Sequence, residues 1–177
     1  AWKDVVKNQK NSRFRDWYDI SSFDDPKTPE NEFQFEGWLG VKTLPELKKV
    51  NVSGKRRGHV FEGDLQPEVK EHIFNVTRRW MDPNNDGDPS DGVDGFRLDV
   101  ASHVPLGFWR DYRKFVREIN PDALLLGEAW WTKWPDTLMD PRPFLRGDTF
   151  DSVMHYQWYK PARQLFAKAG GGIKPSE

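Results

Sequence analysis

The chain has 177 residues, 36% hydrophobic and 31% charged, with a formal net charge of −1, no cysteine, 9 Trp and 12 Phe. Balanced charge excludes a basic field for nucleic acid, no apolar run nears the roughly 20 residues of a membrane span, and zero cysteines exclude disulfides and thiolate-held zinc. The length suits one domain with a real core, and so many aromatics suit a packed interior or a surface that stacks sugar rings.

In chain order, residues 1–63 show little sustained periodicity and many turn formers. Asn11-Ser12 reads as a cap before a short turn through Trp17-Tyr18. Ser21 to Glu32, with two prolines among acidic residues, reads as an exposed loop, and Phe33 to Trp38 as a short extended segment. Trp38 and Phe61 suit either sugar stacking or packing, and Lys48-Lys49 with Lys55-Arg56-Arg57 reads as a solvated loop. Order returns at Gln66-Pro67-Glu68, a helix start, after which Val69, Ile73, Val76 and Trp80 form one apolar stripe with His72, a surface histidine, beside it.

The next stretch, Asp82 to Asp94, is chemically marked. Asp82, Asn84, Asp86 and Asp88 alternate around Gly87 like the start of a calcium loop, in which alternate oxygen side chains converge on one hard cation. The bidentate glutamate expected at position 12 is replaced by Val93, and Asp/Asn/Gly/Pro-rich turn chemistry explains the same residues without a metal. Asp94 to Val100 then reads as a strand that puts Arg97 and Asp99 side by side on its polar face. Leu106 to Ile119 reads as a helix with a broad apolar face that Asn120-Pro121 stops, and Ala123 to Gly127 as a buried strand that delivers Glu128. Phe150 to Tyr156 reads as a third strand, and Tyr159 to Ala169 as a helix ended by Gly170-Gly171-Gly172.

Strand, helix and strand between Asp99 and Glu128 make about one βαβ unit, so the two carboxylates belong at the same ends of neighbouring parallel strands. Strands about 4.8 Å apart suit the roughly 5–5.5 Å between nucleophile and general acid in a retaining glycosidase. Arg97 beside Asp99 favours its ionised form, and the apolar neighbours of Glu128 in the sequence suit an acid.

Gly95-Phe96-Arg97-Leu98-Asp99-Val100-Ala101 resembles the nucleophile motif of the α-amylase superfamily, and Gly127-Glu128-Ala129-Trp130 its acid/base motif. Trp2 to Trp17 and Leu145 to Met154 resemble the neopullulanase, cyclomaltodextrinase and maltogenic amylase branch. The resemblance implies a nucleophile at Asp99, an acid/base at Glu128, a conformation-setting Arg97 and a substrate contact from His103; Trp130, Trp131 and Trp134 follow Glu128 in the loop above its strand, where they suit either substrate-binding acceptor-side subsites or packing. The nucleophile motif continues Ser102-His103, where many α-amylases have Lys-His and the maltogenic branch Asn-Glu. The family's earlier Asp…Asn-His motif and its later Asn-His-Asp motif, with the third catalytic carboxylate, do not occur in these residues.

The expectation is therefore an α/β fold: a partial (β/α)8 TIM barrel covering about strands four to six (residues 64–177), after an irregular insertion (residues 1–63) that forms part of the cleft wall. A complete barrel takes about 250 residues, so the remainder would come from a longer parent chain or from homo-oligomerisation. The expected activity is retaining hydrolysis of α-glucosidic bonds in starch-type oligo- and polysaccharides, with calcium as the only cofactor, an α-glucan as partner, and neither nucleic acid nor membrane. The alternatives are a non-catalytic α-glucan or calcium-binding fragment, or an α-glucan transglycosylase or isomerase of the same superfamily. The compartment stays open.

Overall fold

A computed structural model describes residues 1–54, 59–133 and 137–167. Lys55-Arg56-Arg57, Trp134 and Gly170-Gly171-Gly172 lie outside the described residues. In chain order the elements are α1 (Trp2–Asn8), β1 (Ile20–Ser22), β2 (Gln34–Phe35), β3 (Gly37–Trp38), β4 (Val41–Pro45), β5 (Lys49–Ser53), β6 (Glu62–Leu65), α2 (Pro67–Met81), β7 (Gly95–Leu98), α3 (Leu106–Ile119), β8 (Leu124–Gly127), β9 (Trp131–Lys133), β10 (Thr137–Leu138), β11 (Ser152–Val153) and α4 (Tyr156–Phe166). No described helix is long and apolar enough to cross a membrane.

The sheet that matters is β11-β8-β7, parallel throughout. In it Gly95 pairs with Leu124 and Leu98 with Gly127, so Asp99 and Glu128 follow matched strand ends. Helix α3, bounded as the sequence predicts, buries Leu106, Phe108, Trp109, Tyr112 and Val116 against it. Phe108, Trp109, Phe144 and Phe150 form the aromatic heart of the core, with Phe144 and Phe150 stacked at 5.5 Å. Gly127 meets this cluster directly. A Cβ at that position would collide with the Phe150 ring, which explains glycine just before Glu128.

Helix α2 begins as expected, with Pro67 in its first turn and the Gln66 side chain accepting the Val69 N–H at 2.9 Å. Its inward face differs from the expected stripe. Val69, Thr77 and Met81 are buried with Ile73 packed on the core, while Val76 and Trp80 stand exposed. The reason is polar: Thr77 Oγ1 hydrogen-bonds the Tyr112 hydroxyl at 3.1 Å between α2 and α3, so a threonine takes an inward place that hydrophobicity alone assigns elsewhere. Two further boundaries shift. The strand after Asp94 ends at Leu98, and α4 starts at Tyr156 and carries Pro161 inside it.

Residues 1–54 fold as short antiparallel pairs around an aromatic cluster. Helix α1, unmarked in the sequence reading, brings Trp2 to 4.8 Å from Tyr18, 4.6 Å from Phe35 and 5.9 Å from Phe33. Strand β6 crosses the division expected between residues 63 and 64: it pairs with β5, Lys49 opposite Leu65, so the two parts share a hairpin. Phe61 is buried, and its carbonyl accepts the Leu106 N–H at 3.0 Å, which fastens this hairpin to the start of α3.

Candidate active site

Arg97, Asp99 and Glu128 meet at the ends of β7 and β8. The Arg97 guanidinium pairs with Asp99 through Nη1 and with Glu128 Oε1 through Nη2 at 2.7 Å. These bonds, above all the one to Asp99, raise the Arg97 pKa still further above its ordinary value, so the cation is permanent. The two carboxylates differ sharply in access: the Asp99 side chain is 70% exposed and that of Glu128 8%.

Glu128 is enclosed, though its first neighbours are donors rather than the apolar side chains the sequence suggests. Besides Arg97, the Tyr156 hydroxyl donates to Oε1 at 2.7 Å and the Val100 N–H donates to Oε2 at 2.9 Å. Val100 reaches Oε2 because its backbone is left-handed, φ 47° and ψ 43°. For a β-branched residue this conformation costs about 1–3 kcal/mol, and such strain persists only where surrounding bonds over-determine it. Here they do: the Ala101 N–H donates to the Glu128 carbonyl at 3.1 Å, and Trp109 Nε1 donates to the Ala101 carbonyl at 2.8 Å.

A rim of rings surrounds the carboxylates. Trp38 Nε1 donates to His103 Nδ1 at 2.9 Å, and rings follow one another from His103 to Trp130 (6.4 Å), Trp131 (5.9 Å) and Tyr156 (4.9 Å). A cleft of about 530 Å³ opens beside Asp99, lined among others by Trp38, Leu98, His103 and Tyr112. Asp99 and His103 therefore share a cavity. Glu128, Trp130 and Trp131 are not among its described walls, so they flank the site on the rim.

Residues 1–175 match the model of the alpha-amylase family, its catalytic domain. The chain belongs to that family. It is 35% identical over 167 residues to neopullulanase 2 of Thermoactinomyces vulgaris, covering 94% of this chain and 23% of that protein. To the maltogenic alpha-amylase of Bacillus acidopullulyticus it is 34% identical over 173 residues, 98% of this chain and 24% of that one. Among solved structures, a cyclic alpha-maltosyl-(1→6)-maltose hydrolase from Arthrobacter globiformis, in complex with maltose, superimposes with a TM-score of 0.68 at 27% identity, covering 99% of this chain and 32% of that one. A Nostoc punctiforme debranching enzyme gives 0.65 at 29% identity, covering 92% of this chain and 28% of that one. The chain spans about a quarter of the length of these curated relatives. The family's fold is a (β/α)8 barrel, of which this chain holds a part.

In this chain of the alpha-amylase family the polar side chains of the Asp82–Asp88 loop accept backbone N–H groups of the same loop. The Asp82 carboxylate accepts the N–H groups of Asp86 (3.1 Å) and Gly87 (3.0 Å), Asn84 Oδ1 accepts that of Asp86 (2.9 Å), and Asp86 Oδ1 that of Asp88 (2.8 Å). Alternate acidic residues thus cap successive turns, which gives the same spacing as a calcium loop. Among the described residues no group of three or more His, Asp or Glu is arranged to hold a metal ion.

Sequence reasoning assigned no role to Tyr156 or Val100. Tyr156 lies 28 positions beyond Glu128 in another strand–helix unit, and no local pattern marks it. For Val100 a signal existed in the motif itself, since the chain must turn sharply between β7 and His103, but nothing in its residue type announces a positive φ.

Proposed function

We propose that this chain carries the nucleophile and the acid/base of a retaining α-glucan hydrolase, on what correspond to barrel strands four (β7), five (β8) and six (β11), with residues 1–63 as part of the cleft wall. The observation that carries this reading is one guanidinium, Arg97, bonded to an exposed Asp99 and an enclosed Glu128 at matched ends of adjacent parallel strands. Asp99 attacks the anomeric carbon of an α-linked glucosyl unit as the bond to the leaving oxygen breaks, and Glu128 gives that oxygen its proton. The β-glucosyl ester on Asp99 is then opened by water whose proton Glu128 takes, which restores the α configuration. A sugar hydroxyl in place of water gives transfer. His103, Trp130 and Trp131 hold the acceptor side. The relatives' names, neopullulanase and maltogenic alpha-amylase, support an α-glucan substrate.

The test is release of reducing sugar from maltotriose and from a cyclodextrin, with the first anomer formed read by proton NMR. Asp99→Asn and Glu128→Gln each lower turnover by about 10³-fold or more, by the scale of general acid–base and nucleophilic groups. Wild-type rates in either variant would sink the assignment, and a first-formed β-anomer would sink retention.

A second reading, α-glucan binding without turnover, is favoured by the 70% exposure of the Asp99 side chain and by the quarter-length coverage of the relatives. Calorimetric binding of maltotriose to a chain that releases no sugar is its signature.

A further inference from the structure

The two oxygens of Glu128 are not equivalent. A carboxylate oxygen has two acceptor sites. On Oε1 both are taken, by Arg97 Nη2 and by the Tyr156 hydroxyl, each at 2.7 Å. On Oε2 one is taken, by the Val100 N–H at 2.9 Å. We propose that Tyr156 is a positioning residue for Glu128: by donating its hydroxyl hydrogen to Oε1 it reserves Oε2 as the atom that gives and takes the proton. The proposal rests on the acid/base reading of Glu128.

The geometry on both sides of Tyr156 supports a fixed donor. Its ring packs 4.9 Å from Trp131, and besides Glu128 its hydroxyl meets Arg97, which can only donate to it, and Met154 Sδ at 3.8 Å, a weak acceptor that does not compete with a carboxylate. Burial, followed by the Glu128 carboxylate, pushes the phenol above the ordinary tyrosine range, so it stays a donor at neutral pH. Tyr156 opens α4 just past β11, the strand next to β8, so its position is set by the same sheet that places Glu128. When Oε2 gives its proton to the leaving oxygen, Glu128 becomes an anion whose Oε1 already has two donors. When water attacks the ester, its proton returns to Oε2.

The experiment compares wild type, Tyr156→Phe and Glu128→Gln on two substrates. Maltotriose needs a proton at its leaving oxygen; α-maltosyl fluoride does not, and first-turnover fluoride release reports the attack by Asp99 alone. Tyr156→Phe is expected to lower kcat on maltotriose about tenfold with KM unchanged, the scale of one hydrogen bond to a charged group, and to leave fluoride release within twofold. An equal loss on both substrates means a structural role and overturns the proposal, as does no loss on either. If Glu128→Gln itself shows no difference between the substrates, the acid/base reading has failed, independently of Tyr156. A third arm needs no turnover: with 13Cζ-tyrosine, the Tyr156 resonance, assigned by its absence in Tyr156→Phe, titrates above the ordinary tyrosine range and moves down in Glu128→Gln. An unmoved titration overturns the proposal even in a chain that cleaves nothing.

Discussion

Strands β7 and β8 pair over four residues each in unbroken parallel register, whereas the three antiparallel strand pairs among the described residues of 1–65 contain register shifts. The first pair is held from outside by α3 and its aromatic core, so a slip of one residue would turn every buried side chain outward. The second set is held by rings gathered from distant points, Trp2, Tyr18, Phe33 and Phe35, and tolerates bulges because little of each strand is buried. Side chains that must hold one fixed geometry, as Arg97, Asp99 and Glu128 do here, belong on the first kind of support.

Four substitutions sharpen or break this contrast. The largest effect is expected from Phe108→Ala in the core under β7 and β8, where the side chain is only 2% exposed: about 4 kcal/mol lost in urea unfolding. Trp2→Ala should cost about 2.5 kcal/mol, because the ring is only partly buried, with hydrogen-exchange protection lost in residues 1–54 and kept in β7 and β8. Protection lost equally in both regions would mean that the wall and the sheet unfold as one unit.

Asp151 comes next. It ties β8 to α3, since its carboxylate accepts the Leu125 N–H at 2.8 Å and pairs with Arg113 at 2.9 Å and Arg117 at 2.7 Å. Burial works to raise its pKa, but the Leu125 N–H and the two arginines outweigh it and hold the carboxyl below the ordinary range. A carboxyl lowered on folding contributes stability that is present above its unfolded value, about 3.9, and lost as the pH falls through its folded value. Asp151→Asn is expected to cost about 2 kcal/mol at pH 7, less than for a fully buried pair, and the deficit should shrink as both proteins are taken below about pH 4. A deficit independent of pH would show that the side chain acts by packing.

The smallest effect is expected at the seam between the two regions. Trp38→Phe keeps a ring beside His103 and removes the Nε1 bond to Nδ1, worth about 1 kcal/mol, which is expected to raise KM for maltotriose by up to approximately fivefold. An unchanged KM would mean that the wall does not hold His103 for substrate.

The strand, helix and strand around Arg97, Asp99 and Glu128 were legible because each has its own local signature: alternation, a 3.6-residue stripe with a stop, and a short apolar run. The limits of α3 follow directly from Leu106 to Ile119. Where the reading diverged, the missing information was the identity of the neighbour. Val76 and Trp80 continue an apolar stripe along α2, yet Thr77 faces inward because Tyr112 stands opposite with a hydroxyl.

The sequence by itself determined that Arg97, Asp99 and Glu128 are the candidate site residues and that one βαβ unit carries the two carboxylates to matched strand ends, because strand period and crossover length are local properties. Only the tertiary structure decided how Glu128 is held. Its donors come from Val100, 28 positions before it and strained into a left-handed turn, and from Tyr156, 28 positions after it at the start of α4. Those contacts depend on sheet order and on the direction of single bonds. Both arise when distant segments share one buried space, and no period along the chain encodes them.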